Sequence, residues 1–338
     1  VPSQKISQVA KYLVSLLLAA GLLYWLYKGQ NTDEIMRSLR TADYAMVGLS
    51  LLFSYLAHYI RGWRWVMTLQ PSGFNVSKAD GFWAVMIGYL ANLVVPRMGE
   101  VTRCAILNKT GKVPVSLSFG TVIAERVFDL IALATIAVLT ILLEYEKIGD
   151  FVLGFLGKSV ESFSGLRNVF LAVVFLAVVA IWAFMRWRHL LAEKPFFMKI
   201  VEFVGGIKTG LLSVMKLKRN LFFLYVAQTF FIWFFYWLTA YAVLQAVPET
   251  ASLNLIAALT VMMMSSLGMA VPIQGGFGVV HALLAFALTA YGIDGNFAAS
   301  FALLAHSSQV ISIVFGGLAA LLVVQLRSGK KTERHSGS

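Results

Sequence analysis

Charge is scarce in this chain. Of its 338 residues, 13% are Asp, Glu, Lys or Arg, about half the roughly 25% of an average soluble domain. Hydrophobic residues make up 59% and the mean hydropathy is +0.77, which excludes an ordinary water-soluble surface. Cysteine is nearly absent: the single Cys104 excludes an internal disulfide framework and any cysteine-based metal centre. The sequence has no phosphate-binding loop, no GxSxG and no HExxH. The "GGFG" at 275–278 has the glycines of a nucleotide loop but lacks the Lys that follows one. ATP hydrolysis and a bound cofactor are therefore not expected. A metal site is not expected either, because His281 and His306 have no Cys or carboxylate at ligand spacing.

What the chain does have is long apolar runs. A helix needs about 20 apolar residues to cross a bilayer, and such windows recur from end to end. No ten-residue alternation of the barrel type occurs. The expected fold class is an all-α polytopic membrane protein. Six full spans are read at 8–27, 44–69, 116–143, 167–187, 219–246 and 298–325. The first is read as a spanning helix, since no small-residue cleavage site follows it. Two further apolar blocks are broken midway: 81–109 at Pro96, and 253–291 at "VPIQGG", residues 271–276.

The net charge of +12 belongs to the membrane flanks and does not signal nucleic acid. The loop 186–219 holds eight Lys and Arg against Glu193 and Glu202, and the tail after Leu326 is basic. Both are expected in the cytoplasm. The loop 144–166 is acidic, and the turns near Glu249 and Asp294 lack Lys and Arg, so these are expected outside. The loop 28–43 is balanced and gives no orientation. The threading that satisfies these assignments puts both termini in the cytoplasm. It makes 81–109 a hairpin from the inside and 253–291 a hairpin from the outside. Each half then reads span, span, hairpin, span, in opposite orientation. Residues 1–145 form a first inverted repeat and 146–326 a second, with 327–338 a disordered tail. Paired broken segments in such repeats point to a transporter's binding site. "VVPRMGEV" against "AVPIQGGF" is a faint echo of the same repeat; the alternative is two Pro-kinked helices in a bundle that only looks symmetric. The segment 190–217 alternates Phe, Ile and Val with Lys and is expected at the cytoplasmic interface as an anchor.

Candidate site residues gather at the breaks and inside the spans. Non-helical backbone survives in a bilayer only where protein or water satisfies it. The hairpin tips would bring Pro96, Arg97 and Gly99 from one side, and Pro272, Gln274, Gly275, Gly276 and Gly278 from the other, toward the midplane. Helix N-termini after the breaks would offer N–H groups to an anion. Glu125, Arg126 and Asp129 lie about 13–20 Å along their span, where ionisable side chains face a bundle interior or a wet cavity. They either tie the span to a hairpin as a neutralised network or meet substrate directly. Arg61 and Arg64 share a face of the second span. They either snorkel or, with Arg97 and Arg103, line a basic vestibule. His281 and His306 read most simply as core histidines, near Gln274 and Gln309.

Taken together, "GYLANLVVPRMGEVTRCAIL", "AERVFD" and "MAVPIQGGFGV" resemble the lysylphosphatidylglycerol synthase transmembrane, or flippase-like, family. Its pattern falls on Asn92, Pro96, Gly99, Glu100, Arg103, Glu125, Arg126, Asp129, Pro272, Gly275, Gly276 and Gly278. Many members have a Glu three residues after the last Gly, where this chain has His281. The resemblance covers nearly the whole chain and implies translocation of a lipid between leaflets. A stand-alone member is expected, without the soluble aminoacyl-transfer domain, so lipid aminoacylation is not implied.

The expected function is therefore a bacterial inner-membrane transporter of a charged phospholipid or polyprenyl-phosphate lipid. Membrane lipids are its expected partners, nucleic acid is not, and a homo-oligomer stays open. Two alternatives stand beside it. One is a membrane enzyme on a lipid-linked substrate, with Glu100, Glu125 or Asp129 as acid or base. The other is a non-transporting partner subunit.

Overall fold

The computed structural model describes residues 17, 20–24, 26–149 and 195–336, which are helical throughout apart from short connections. The helices are α1 (Thr32–Thr41), α2 (Tyr44–Met67), α3 (Lys78–Val94), α4 (Met98–Gly111), α5 (Val115–Leu143), α6 (Pro195–Leu211), α7 (Arg219–Ala246), α8 (Leu255–Ala270), α9 (Val279–Ala290) and α10 (Gly295–Ser336). Among the described residues, three helices are long and apolar enough to cross a membrane: α5, α7 and the stretch Gly295–Arg327 of α10. The span expected at 167–187 lies outside the described residues, as does most of the one at 8–27.

Local chemistry sets the boundaries. Asn31, Asp43 and Asn254 each accept hydrogen bonds from two backbone N–H groups in the first turns of α1, α2 and α8, and Ser77 caps α3 through Asp80. Such caps satisfy N–H groups that have no partner within the helix. The two breaks follow from proline. Pro96 has no N–H and forces Val95 into an extended conformation (φ −135°, ψ 118°). Val271, before Pro272, is extended in the same way (φ −69°, ψ 136°). Beyond the proline the chain reverses through positive φ. At the first break this falls on Arg97 (φ 64°), and at the second on Gly275, Gly276 and Gly278 (φ 56°, 72° and 79°).

Two hydrophobic clusters hold the halves. In one, Trp65 and Val66 of α2 and Leu69 just beyond it meet Ala84 and Val85 of α3, Cys104 and Leu107 of α4, and Val122 of α5. In the other, Val243 and Leu244 of α7 meet Val261 of α8, Leu284 and Leu288 of α9, and Phe301 of α10. Cross-packing joins them. α2 lies along α7, and α10 crosses α3, where Met86 and Ile87 meet Ala320 and Val324. α5 crosses α8, where Ile136 and Ala137 meet Met263 and Met264. The last helix of each half thus packs on the first arm of the other half's hairpin.

Three stretches differ from expectation. The balanced loop 28–43 contains α1, whose Asn31 cap, acidic first turn (Asp33, Glu34) and Arg40 in the last turn are ordinary helix signals. The tail expected to be disordered from 327 is helical through Ser336. Extending an existing helix needs no new nucleus, so polar residues can follow an apolar span without a break. Within 190–217, α6 packs directly against α5 rather than only lying on a surface. Gly206 abuts Ser116, and Gly120 abuts Gly210, leaving no room for a Cβ. This small-residue crossing brings the two backbones together, while Phe203 and Val204 remain exposed.

Candidate functional site

Among the described residues, five of the six buried charged side chains converge on one cluster, and the sixth, Glu144, pairs with Lys147. α2 supplies Arg61 and Arg64, one helical turn apart and so on one face. α4 supplies Glu100 and Arg103, and α5 supplies Glu125, Arg126 and Asp129. Asp129 is gripped from both sides: Arg61 Nη2 and Arg64 Nη2 each donate to one of its oxygens at 2.7 Å. Arg103 Nη1 lies 3.0 Å from Glu125 Oε2, while Arg61 and Arg64 approach Glu125 Oε1 at 3.6 and 3.5 Å. Neutral partners complete the cage. Arg64 Nη1 donates to Thr229 of α7 at 2.7 Å and Arg61 Nη1 to Tyr89 of α3 at 3.2 Å. Arg103 lies over Trp65 and Arg64 over Tyr225.

Arg61, Arg64, Arg103, Glu125 and Asp129 are all buried. Burying a charge is tolerable only when it is paired and hydrogen-bonded; Asp129 meets both conditions, whereas Glu125 is paired with arginines but neither of its oxygens has a hydrogen-bond partner among the described residues. Arg126 is different. Its side chain is 42% exposed, and Glu100, Glu125 and Asp129 lie 3.8–3.9 Å away. Four guanidinium groups thus face three carboxylates. The excess positive charge has its open side at Arg126.

The second feature is the junction of the two hairpin tips. Arg97, exposed at the start of α4, donates through Nη2 to the carbonyl of Ala270, the last residue of α8. Gln274, in the opposite tip, donates to the carbonyl of Val94, the last residue of α3, at 3.1 Å. Each tip thereby satisfies a helix-end carbonyl that the other's proline break left without a partner. Gly275 sits against Leu93 across the junction. The start of α4 is not open to an anion as expected. Asn92 accepts the Gly99 N–H at 2.6 Å, and Glu100 brings negative charge into the first turn.

The expected site residues therefore fall in three places. Arg61, Arg64, Glu100, Arg103, Glu125, Arg126 and Asp129 form the ion cluster. Asn92, Pro96, Arg97, Gly99, Pro272, Gln274, Gly275, Gly276 and Gly278 form the tip junction. His281 stands apart, its ring centroid 4.7 Å from that of His306. A buried polar strip was missed. Ser54 of α2 donates to Gln309 of α10 at 2.8 Å and lies 3.2 Å from His58 Nε2, and the His58 ring packs on Tyr89 at 4.7 Å. The spacing Ser50, Ser54, His58, Arg61 along one helix face was the signal that could have shown it.

The family model for the lysylphosphatidylglycerol synthase TM region matches residues 12–317. The UPF0104 membrane protein of Methanothermobacter thermautotrophicus is 23% identical over 285 residues, covering 79% of this chain and 82% of its own. A UPF0104 membrane protein of Methanocaldococcus jannaschii is 27% identical over 120 residues, 35% of this chain and 34% of that one. The glycosyltransferase AglD of Haloferax volcanii is 26% identical over 136 residues, 40% of this chain and 21% of that enzyme. The chain thus matches about a third and about a fifth of the lengths of the last two proteins. Since the family match runs through both hairpins and the ion cluster, the chain is a multi-pass membrane protein that belongs to the lysylphosphatidylglycerol synthase transmembrane-region family.

Proposed function

We propose that this protein moves a lipid with a phosphate-bearing headgroup between the leaflets of the cytoplasmic membrane. The observation that carries this reading is Arg126, a half-exposed guanidinium on a buried ion cluster. It is joined through Glu100 to the α4 turn that begins at the exposed Arg97. A headgroup phosphate would replace part of the carboxylate coordination of Arg126 and take a bidentate pair from it. Arg61, Arg64 and Arg103, already engaged by Glu125 and Asp129, would hold the cluster rather than touch the lipid. Apolar Val94, Met98, Met269 and Val271, exposed around the tips, would face the tails.

The exchange of hydrogen bonds between the tips and the reciprocal packing of α10 on α3 and α5 on α8 support an inverted repeat. In that reading the two units rock about the α2–α7 contact and open the junction to either side in turn. Both termini would lie in the cytoplasm, as the distribution of Lys and Arg requires. Membership of a family described by a lipid synthase's membrane region is consistent with a lipid substrate.

A leaflet-resolved assay tests the proposal. Fluorescent phosphatidylglycerol and a polyprenyl phosphate are followed in proteoliposomes, and Arg126→Gln should slow the movement of whichever one is carried. If purified protein moves neither faster than empty liposomes do, the proposal fails. The second reading, an enzyme on a lipid-linked substrate, draws on the AglD match. The engagement of Glu125 and Asp129 by arginines speaks against it, because a carboxylate so held is a poor general base. Product formation from labelled lipid would decide for it.

A further inference from the structure

Behind the second hairpin tip lies a pair of buried imidazoles. His281 is in the first turn of α9, three residues after Gly278, and His306 faces it from α10. Their relative exposures are 1% and 6%, and the ring centroids are 4.7 Å apart in an edge-on arrangement. Both have a buried nitrogen with no hydrogen-bond partner: Nδ1 of His281 and Nε2 of His306. A buried polar atom left this way costs free energy; His58 Nδ1 and several atoms of the ion cluster share that condition, and what sets this pair apart is that two such imidazoles face each other. The walls are Phe277 from the tip, on which both rings pack, and Tyr27, whose ring lies edge-on to His281.

No charged group faces the pair from the described elements around it. Tyr27 is the titratable neighbour, and its hydroxyl donates to the Ala299 carbonyl. α10 contributes the neutral Gln309 one turn on, bonded to Ser54 of α2. The nearest charges along this strip, Arg61 and Asp129, lie beyond His58 and Tyr89. A third metal ligand is also missing among the described residues, which leaves the proton as the ligand these nitrogens fit. The tip that covers them is the glycine-rich one. Three glycines at positive φ separate Pro272 from His281, and the His306 ring hydrogen-bonds the backbone of Gly275 within that turn. A change in tip conformation therefore changes the surroundings of both rings.

We propose that His281 and His306 form a proton-binding site whose occupancy depends on the position of the second hairpin tip, coupling lipid movement to proton movement. This rests on the transport reading above. When the tip opens to one side, an imidazole nitrogen takes a proton from water and an N–H bond forms. When the tip opens to the other side, the same bond breaks and the proton returns to water. Nothing is oxidised or reduced. Closure over the protonated pair buries a cation with no protein anion facing it, so the carried proton has to travel with the anionic headgroup.

Both movements are read in the same vesicles. Phosphatidylglycerol proteoliposomes carry trapped pyranine to report protons and, in separate preparations, a fluorescent phosphatidylglycerol or polyprenyl phosphate that dithionite bleaches in the outer leaflet. The expected result is that an imposed pH difference changes the lipid rate by about threefold or more across the range in which histidine titrates. Protons should move with the lipid. In His306→Gln and His281→Gln the lipid rate should no longer respond to the pH difference. Lipid movement that ignores the pH difference in the unmodified protein overturns this inference and leaves the transport reading standing. Proton movement without lipid movement overturns the coupling and the transport reading together, and movement of neither does the same. The measurement on the unmodified protein decides even if a variant fails to fold.

Discussion

The two hairpins are built from the same parts and loaded oppositely. In the first, α3 and α4 turn at Pro96 through a single left-handed residue, Arg97, and Asn92 caps the returning helix. Its return arm carries Glu100 and Arg103 into the ion cluster. In the second, α8 and α9 turn through three left-handed glycines, no side chain caps α9, and its first turn carries only His281. The first hairpin is therefore wired to α2 and α5 by charge. The second is held mainly by apolar packing and by two hydrogen bonds across the junction. Multiple ion pairs fix a position, whereas glycine turns leave one adjustable. In the proposed transport cycle this difference would make the first hairpin the anchor and the second the moving part.

Five substitutions would break or sharpen that contrast. Asp129→Ala removes the anion that Arg61 and Arg64 share and should cost about 3–5 kcal/mol, seen as a large drop in thermal stability in detergent. Gly275→Ala puts a Cβ at a φ of 56° and 2.9 Å from Leu93 Cδ2. Its cost should be smaller, about 1–3 kcal/mol, with a loss of transport if the tip must move. Gln274→Ala gives up the bond to Val94 and should cost about 1 kcal/mol. Combined with Arg97→Ala in a double-mutant cycle, it should show coupling, because the two bonds close one junction. Arg126→Gln should change stability least, by under about 1 kcal/mol, because the side chain is half-exposed and its pairs are long. Lipid movement should nevertheless fall about tenfold or more if a phosphate pairs with it. If Arg126→Gln destabilised the protein as much as Asp129→Ala, the cluster would be purely structural.

Much of the fold was legible because a bilayer leaves little choice. Apolar length marked α5, α7 and α10, and the helix edges agree within a few residues at Tyr44, Val115 and Arg219. Pro96 and Pro272 located both breaks. α1 was passed over although Asn31, Asp33, Glu34 and Arg40 announced it, because a short polar helix has no apolar stripe to stand out. At the site, residue types and spacing placed Glu125 and Asp129 on one face and Arg61 and Arg64 on another. Spacing could not say that the two faces meet, nor that Arg126, one residue from Glu125, would turn outward. Thr229 and Tyr89 entered the cage from α7 and α3 and carry no local mark.

The sequence by itself determined that the chain is helical and membrane-embedded, where its apolar blocks break, and which ionisable residues are too deep to be incidental. These follow from nearest-neighbour chemistry: the length of an apolar run, the missing N–H of proline, the cost of charge in hydrocarbon. Only the tertiary structure decided which charges neutralise one another and which remains available. It also brought the tips together at Arg97–Ala270 and Gln274–Val94 and left two imidazoles facing each other behind a glycine turn. Those outcomes depend on contacts between residues far apart in the chain, whose geometry is set by how the helices cross and by no single stretch of sequence.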